Sequence, residues 1–419
     1  MRILVYPHAM EIGGSQLNAV QLAGAVRDLG HRVTVLSEPG PLVRTVHELG
    51  LPHVPIPAER RRPSPAVAGR LARVVAARDI DVVHGHEWPP VLEAFAGSCL
   101  HRRAAVVGSV MSMSVVPFFP RTVPLLVGTE QIRKAAVAAG HRRVGLLEPP
   151  VDTDTDHPGV DGTAFRAEHG LAPRVPLVAM VCRLVPELKL EGLLAACDAV
   201  GELARNGRGV QLVIVGEGRS RDEVAASAER ANAAAGARVV TLTGEIADPR
   251  PAYAAADILV GQGGSALRGM SFGKPLVVIG EQGYSELLTP DSADAFLRAG
   301  WYGQGPGSRG SGVPALRDAL DELLTEPGRR TELGRYAREL VLRRFSLRRA
   351  ATLLESEYRA ALTDPVPRPR RAGDAAHSAA ALLRYKITRK YQGLRGTVRT
   401  DDANATPVLA TPPAQKEAG

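Results

Sequence analysis

DILVGQGGSALRGMSFGKPLVVIGEQGYSE (257–286) decides the fold. An apolar run, DILVG, stops at a glycine. Gly261, Gly263 and Gly264 follow in quick succession, and a short helix is expected from Ser265. Gly-Lys-Pro (273–275) breaks that helix and opens a second apolar run, PLVVIG (275–280). Two short apolar runs joined through one helix read as buried parallel strands of an α/β sheet. Glycines just before a helix leave amides uncovered, and the helix dipole favours negative charge there. A phosphate suits such a place. Glycine loops after strands are common, so this signal is weak alone. It gains weight from VCRLVPELKLEGLL (181–194), which also leaves an apolar run and enters a helix. Arg183 and Lys189 there can neutralise a diphosphate leaving group, one as a planar fork and the other as a point charge. The plain reading of the pair is a solvated helix start.

The same alternation extends in both directions. RILVY (2–6), RVTVL (32–36), DVVHGH (81–86), AAVVGSV (104–110), PLLVG (124–128) and VGLLE (144–148) read as strands, with helices between them. Residues 149–175, rich in Pro, Asp and Thr, read as a linker. VPLVAMV (175–181), VQLVIVG (210–216) and VVTLTG (239–244) then restart the pattern. The expectation is α/β: two doubly wound, Rossmann-like domains facing a cleft. Their expected limits are 1–165 and 166–345, with a helix over 346–363 packing back on the first. A 419-residue chain with 45 % apolar residues is long enough for two cores.

Charge is unevenly spread. Residues 364–419 hold ten Lys/Arg against five Asp/Glu, so five of the eight net positive charges fall there. Within that tail, 375–395 reads as one basic helix (Leu382, Leu383, Tyr385 and Ile387 with Arg384, Lys386, Arg389 and Lys390). After Thr400 the composition reads as disordered. A weak contact with an anionic membrane or a protein partner is the expectation for this tail. With 4 % aromatics and no aromatic–basic stripe, nucleic acid is not an expected partner. Cys99, Cys182 and Cys197 are unclustered and fit a reducing, cytoplasmic setting, peripheral at most to the inner membrane face. Neither a His-Glu-x-x-His nor a paired-cysteine motif occurs, so no metal and no cofactor are expected.

CRLVPELK, LVIVGEG, TLTGEIAD with Tyr253 and Asp257, and ALRGMSFGKPLVV occur in that order. Together they resemble the donor domain of retaining family 4 glycosyltransferases of the GT-B fold, in an actinobacterial-type variant. IGGSQ, DVVHGHE and EPPVD extend the resemblance, more loosely, into the amino half; it spans 2–362. It implies that Arg183 and Lys189 bind the donor diphosphate. Gly216, Glu217 and Gly218 would line the nucleotide side, and Glu245 and Ile246 would sit near the base. Gly263, Gly264 and Ser265 would offer amides to the phosphates. Glu286 would lie near the donor, in the loop after PLVVIG. Gly13 and Gly14 would form the amino-domain loop that approaches phosphate or acceptor.

The chain departs from the family pattern at three positions. The usual pair of glutamates eight residues apart becomes Val260 and Arg268. Arg268 is expected either to add a cation near phosphate, to read a different nucleotide, or to form a structural salt bridge. Met111 stands where the family commonly has a histidine near the reacting sugar. His86, with His8 and Glu87, is then the remaining candidate on that side. The leading expectation is a metal-independent, retaining transferase moving a sugar from a nucleotide-diphosphate-sugar to an acceptor hydroxyl. One alternative is a catalytically weak homologue serving as a binding subunit in a biosynthetic complex. Another is a nucleotide-sugar epimerase using Glu87, Glu217 or Glu286 as acid and base.

Overall fold

The computed structural model describes residues 1–101 and 104–395. They form two compact units. Unit 1 holds Met1–Pro149 and the described residues from Leu347 onward; unit 2 holds Pro150–Ser346. The reading of residues beyond Thr400 as disordered falls outside the described residues.

Unit 1 is built on seven strands: β1 (Arg2–Tyr6), β2 (Arg32–Ser37), β3 (His53–Pro55), β4 (Val82–His86), β5 (Ala105–Val110), β6 (Leu125–Val127) and β7 (Val144–Leu146). Their order is β3-β2-β1-β4-β5-β6-β7, all parallel. Successive residues of a strand point to opposite faces, and helices cover both. Leu4 and Tyr6 therefore join one core and Ile3 and Val5 the other. The helix Leu347–Thr363 completes the second core with Leu354 and Tyr358. A 27-residue helix, Arg368–Leu394, also belongs to this unit.

Unit 2 repeats the plan with β8 (Leu177–Val181), β9 (Gln211–Val215), β10 (Val240–Gly244), β11 (Ile258–Gly261), β12 (Leu276–Ile279) and β13 (Ser285–Leu287). The order is β10-β9-β8-β11-β12-β13, parallel except for the last strand. Leu177 and Ala179 face one core, Val178 and Met180 the other. β3 (HVP) and β13 (SEL) hold a single Val or Leu each, too little apolar pattern to be read in advance. The Pro-rich stretch after Pro149 is part of this unit. Arg166 bonds the carbonyls of Ala172, Val175 and Ala255 and pairs with Asp257 at 2.8 Å, while Phe165 and Leu171 enter the core.

Candidate active site

The candidate residues of unit 2 gather for a topological reason. β8 and β11 are remote in sequence yet adjacent in the sheet, with Ile258 beside Val178 and Leu259 beside Ala179. Strand order reverses between them: β9 lies beyond β8, and β12 beyond β11. At such a switch point the loops part toward opposite faces and leave a crevice past the carboxyl ends of the strands. The loop after β8 carries Arg183 and Lys189. The loop after β11 carries Gln262, Gly263, Gly264 and Ser265. Cys182, Lys189, Gly261, Gln262 and Ser265 line one small cleft there.

Lys189 is held by a distorted turn. Glu187 and Leu188 are non-helical (Leu188 at φ 66°), so the unbroken helix to Arg205 starts at Lys189. A left-handed leucine is strained by about 1–3 kcal/mol and persists only where its surroundings hold it. Here Glu281 accepts the Leu188 amide at 3.2 Å, and Gln262 Nε2 donates to the Leu188 carbonyl. Tyr302 and Gln304 in turn fix the Glu281 carboxylate. Lys189 itself is half-buried and has no hydrogen-bond or ion-pair partner among the described residues. Burial pushes its ammonium below the ordinary lysine value, with Cys182 opposing and Arg183 adding to the shift. A desolvated cation without a counter-ion favours an incoming anion. Arg183 is exposed in the same loop, also without an ion-pair partner among the described residues.

The glycines have distinct jobs. Gly216 runs at φ 145°, and a Cβ there would stand 1.9 Å from the Cys182 carbonyl oxygen. At Gly218 it would stand 2.2 Å from that of Leu184. Both therefore let the loop after β9 lie flat on the Arg183 loop, where Leu184 donates to the Glu217 carbonyl at 2.9 Å. The Glu217 carboxylate is bonded by Arg221. Glu245 is exposed after β10, and Ile246 leans on the core. The short helix begins at Gly263, two residues before the expected start, and Gln262 is its N-cap. The Gly263 amide is not offered to a ligand, because it donates to the Trp301 carbonyl at 2.8 Å. Gly264 and Ser265 lie in the first turn, whose amides lack intrahelical acceptors. A Cβ at Gly264 would meet nothing, so the approach is open.

Unit 1 has its own switch point, between β1 and β4, with Tyr6 beside Gly85. Gly13 caps the helix Gly14–Asp28 in the loop after β1. His86 ends β4, 4 % exposed, with Nε2 unpartnered. Burial holds its imidazole well below the ordinary value, and His84 and His8 add to this. His84, 4.2 Å away between ring centroids, is held between the Tyr358 hydroxyl and Ser109 Oγ, each at 2.7 Å. Burial lowers its value to about 3. Glu87 turns inward and accepts the Met111 amide at 2.8 Å and the Ser112 amide at 3.1 Å. A carboxylate from the β4 loop thus binds the backbone at the position where the family has its histidine.

Residues 12–125 match a family model described as Glycosyltransferase Family 4, and 175–301 match one described as Glycosyl transferases group 1. The two matches fall one on each doubly wound unit. The chain belongs to the family 4 glycosyltransferases. Its fold is the GT-B fold. This glycosyltransferase is 28 % identical over 325 residues to a D-inositol 3-phosphate glycosyltransferase of Segniliparus rotundus, covering 70 % of this chain and 68 % of that one. Over 95 residues it is 38 % identical to a phosphatidyl-myo-inositol mannosyltransferase of Mycolicibacterium smegmatis. That match takes 21 % of this chain and spans only a quarter of the mycobacterial relative. Among solved structures, Anabaena HepE in complex with UDP-glucose matches with a TM-score of 0.65 at 16 % identity, over 86 % of this chain and all of the other.

In this glycosyltransferase several expected donor contacts are already engaged. Arg268 is half-buried and pairs with Asp156, Nε to Oδ2 at 2.7 Å. Asp156 is 1 % exposed, and burial pushes its carboxyl up while the guanidinium opposes the shift. Of the readings weighed for Arg268, the salt bridge is the one seen. Glu286 stands on the edge strand β13 rather than in a loop, and its carboxylate accepts the Ser308 amide and hydroxyl. Gln262, Glu281 and the Leu188 turn were not legible in the sequence, since a left-handed leucine has no residue-type signal. DTDTD (152–156) carries an Asp-x-Asp spacing that the metal expectation left out. Asp152 accepts the amides of Asp154 and Thr155, and Asp156 is bound to Arg268. Asp79 and Asp81 share the spacing and both bond Arg2. Among the described residues no group of three His, Cys, Asp or Glu could hold a metal.

Proposed function

We propose that this glycosyltransferase moves a sugar from a nucleotide-diphosphate-sugar to an acceptor hydroxyl, with retention of configuration and without a metal ion. The bond between the anomeric carbon and the diphosphate oxygen breaks, and a bond from that carbon to the acceptor oxygen forms. The acceptor loses its proton, and the diphosphate leaves with the negative charge. The observation that carries this reading is Lys189, a half-buried cation without a counter-ion, facing the cleft shared with Gln262 and Ser265 at the helix start. A positive group placed before the charge develops stabilises the departing diphosphate without reorganisation. Arg183 and the first-turn amides of Gly264 and Ser265 would add to that field. The nucleotide-sugar donor is supported by the likeness to HepE, whose structure holds UDP-glucose. Retention rests on the family resemblance alone.

Unit 1 would present the acceptor. Both curated relatives are named for inositol-bearing substrates, so inositol phosphates are the first acceptors to try. The epimerase reading needs a carboxyl ready to exchange a proton. Glu87, Glu217 and Glu286 each already accept bonds from amides, a hydroxyl or a guanidinium. The test is thermal unfolding with UDP, GDP and their sugars, followed by donor consumption with an inositol phosphate. A nucleoside diphosphate is expected to raise the midpoint, because a ligand of the native state stabilises by mass action. No shift with any nucleotide would overturn the donor assignment. Binding without turnover across a broad acceptor panel would favour the binding-subunit reading.

A further inference from the structure

The helix Arg368–Leu394 follows the part of the chain that resembles the family, and it has two unlike faces. One is docked on unit 1. Asp374, 8 % exposed, accepts the amides of Arg121 and Thr122 at 3.0 and 2.8 Å. Arg371 donates to Ser98 Oγ, and Tyr385 packs on Phe118 with ring centroids 4.9 Å apart. The other face is bare. Leu383, Ile387, Tyr391 and Leu394 are 61, 60, 52 and 81 % exposed. Their spacing of four, four and three residues puts them on one stripe. Tyr385 lies two positions from both Leu383 and Ile387, about 200° around the axis, so the stripe points away from the docked face. The expected helix is therefore present, but Leu383 and Ile387 do not share a face with Tyr385 or with the half-buried Leu382.

Charge says what covers the stripe. Lys386 and Lys390 flank it on one side and Arg384 and Arg395 on the other, all exposed. No acidic residue occurs between Asp374 and Asp401. An apolar stripe with cations on both edges suits a surface that is oily below and anionic above, and a protein core would have to neutralise those cations. Tyr391, stacked under the Arg395 guanidinium at 4.3 Å, has the amphipathic character favoured at a lipid headgroup boundary. We propose that this helix is a membrane-surface anchor: it lies in the headgroup layer of an anionic bilayer, with Leu383, Ile387, Tyr391 and Leu394 inserted. Each interfacial cation strengthens such binding several-fold, and the apolar stripe supplies the rest.

The test is flotation of the full chain with phosphatidylcholine vesicles, with and without phosphatidylglycerol. Association with the anionic vesicles only is expected. Leu383→Glu with Ile387→Glu should abolish it. Lys386→Gln with Lys390→Gln should weaken it roughly 30-fold, and added salt should mimic that loss. All four positions are exposed, so thermal unfolding of both variants should match the parent. Equal binding to neutral vesicles, no binding at all, or binding indifferent to both variants would overturn the proposal. So would self-association of the full chain that is lost in the Leu383→Glu, Ile387→Glu variant without any vesicle binding, which would assign the stripe to a second copy.

Discussion

The two switch points of this protein share a topology and differ in electrostatics. Beside β8 and β11, Lys189 lines the cleft without an ion-pair partner among the described residues, next to an open helix start. Beside β1 and β4, the buried imidazoles of His84 and His86 are held neutral, Glu87 is spent on the backbone of Met111 and Ser112, and Glu93 accepts from the Tyr6 hydroxyl and the Ser64 amide. Strand order fixes where ligands can sit, while the residues on the loops fix what charge is welcome. The unit 2 switch point, through Lys189, is locally unbalanced toward anions. At the unit 1 switch point the buried imidazoles are neutral and the buried carboxylates already hold donors.

The largest expected effect tests the unbalanced side. Lys189→Met keeps the apolar stem and removes the charge. Turnover should fall roughly 10²–10³-fold, in line with loss of one preorganised electrostatic group, as it should for Arg183→Ala. The ligand-free Lys189→Met variant should also melt no lower than the parent, because a half-buried cation without a counter-ion has gone. Near-normal rates in a standard donor assay would erase the contrast between the two switch points.

A smaller effect separates donor contacts from scaffold. Arg268→Met strands the buried Asp156, and removing one partner of such a pair costs about 3 kcal/mol. Urea denaturation should show the loss, and the ranking of nucleotide sugars should stay the same. A changed ranking at unchanged stability would return Arg268 to the donor pocket. Arg268→Glu would set two carboxylates together and should fold worse still.

The smallest effect per step concerns the neutral side. The folded value of His84 lies near 3, below its ordinary 6.5. As pH falls through 6.5 the unfolded chain takes up a proton that folded His84 refuses. Stability is thus full above pH 6.5 and drains away down to about pH 3, at about 1.4 kcal/mol per pH unit for one such group. His86 adds in the same direction. The two tryptophans divide the molecule, Trp88 in unit 1 and Trp301 in unit 2. Single-tryptophan variants should show the acid-sensitive midpoint in the Trp88 signal. An equal acid shift reported by Trp301 would break the comparison.

Much of this could be read along the chain. Apolar runs two to six residues long, cut by glycine and proline, announced eleven of the strands, because a strand buried on both faces is largely apolar. The cations at Arg183 and Lys189 and the glycines at 216, 218 and 264 were visible as residue types following strands. What no local pattern held was adjacency. β8 and β11 are neighbours only because the sheet is wound outward in both directions from its middle, and that pairing alone brings Lys189 to Gln262 and Ser265. The left-handed turn at Leu188, the Gly263 amide given to Trp301, and the capture of Arg268 by Asp156 are likewise settled by atoms more than 35 residues away. Composition and periodicity are properties of neighbours in sequence; which polar atom is already satisfied depends on neighbours in space.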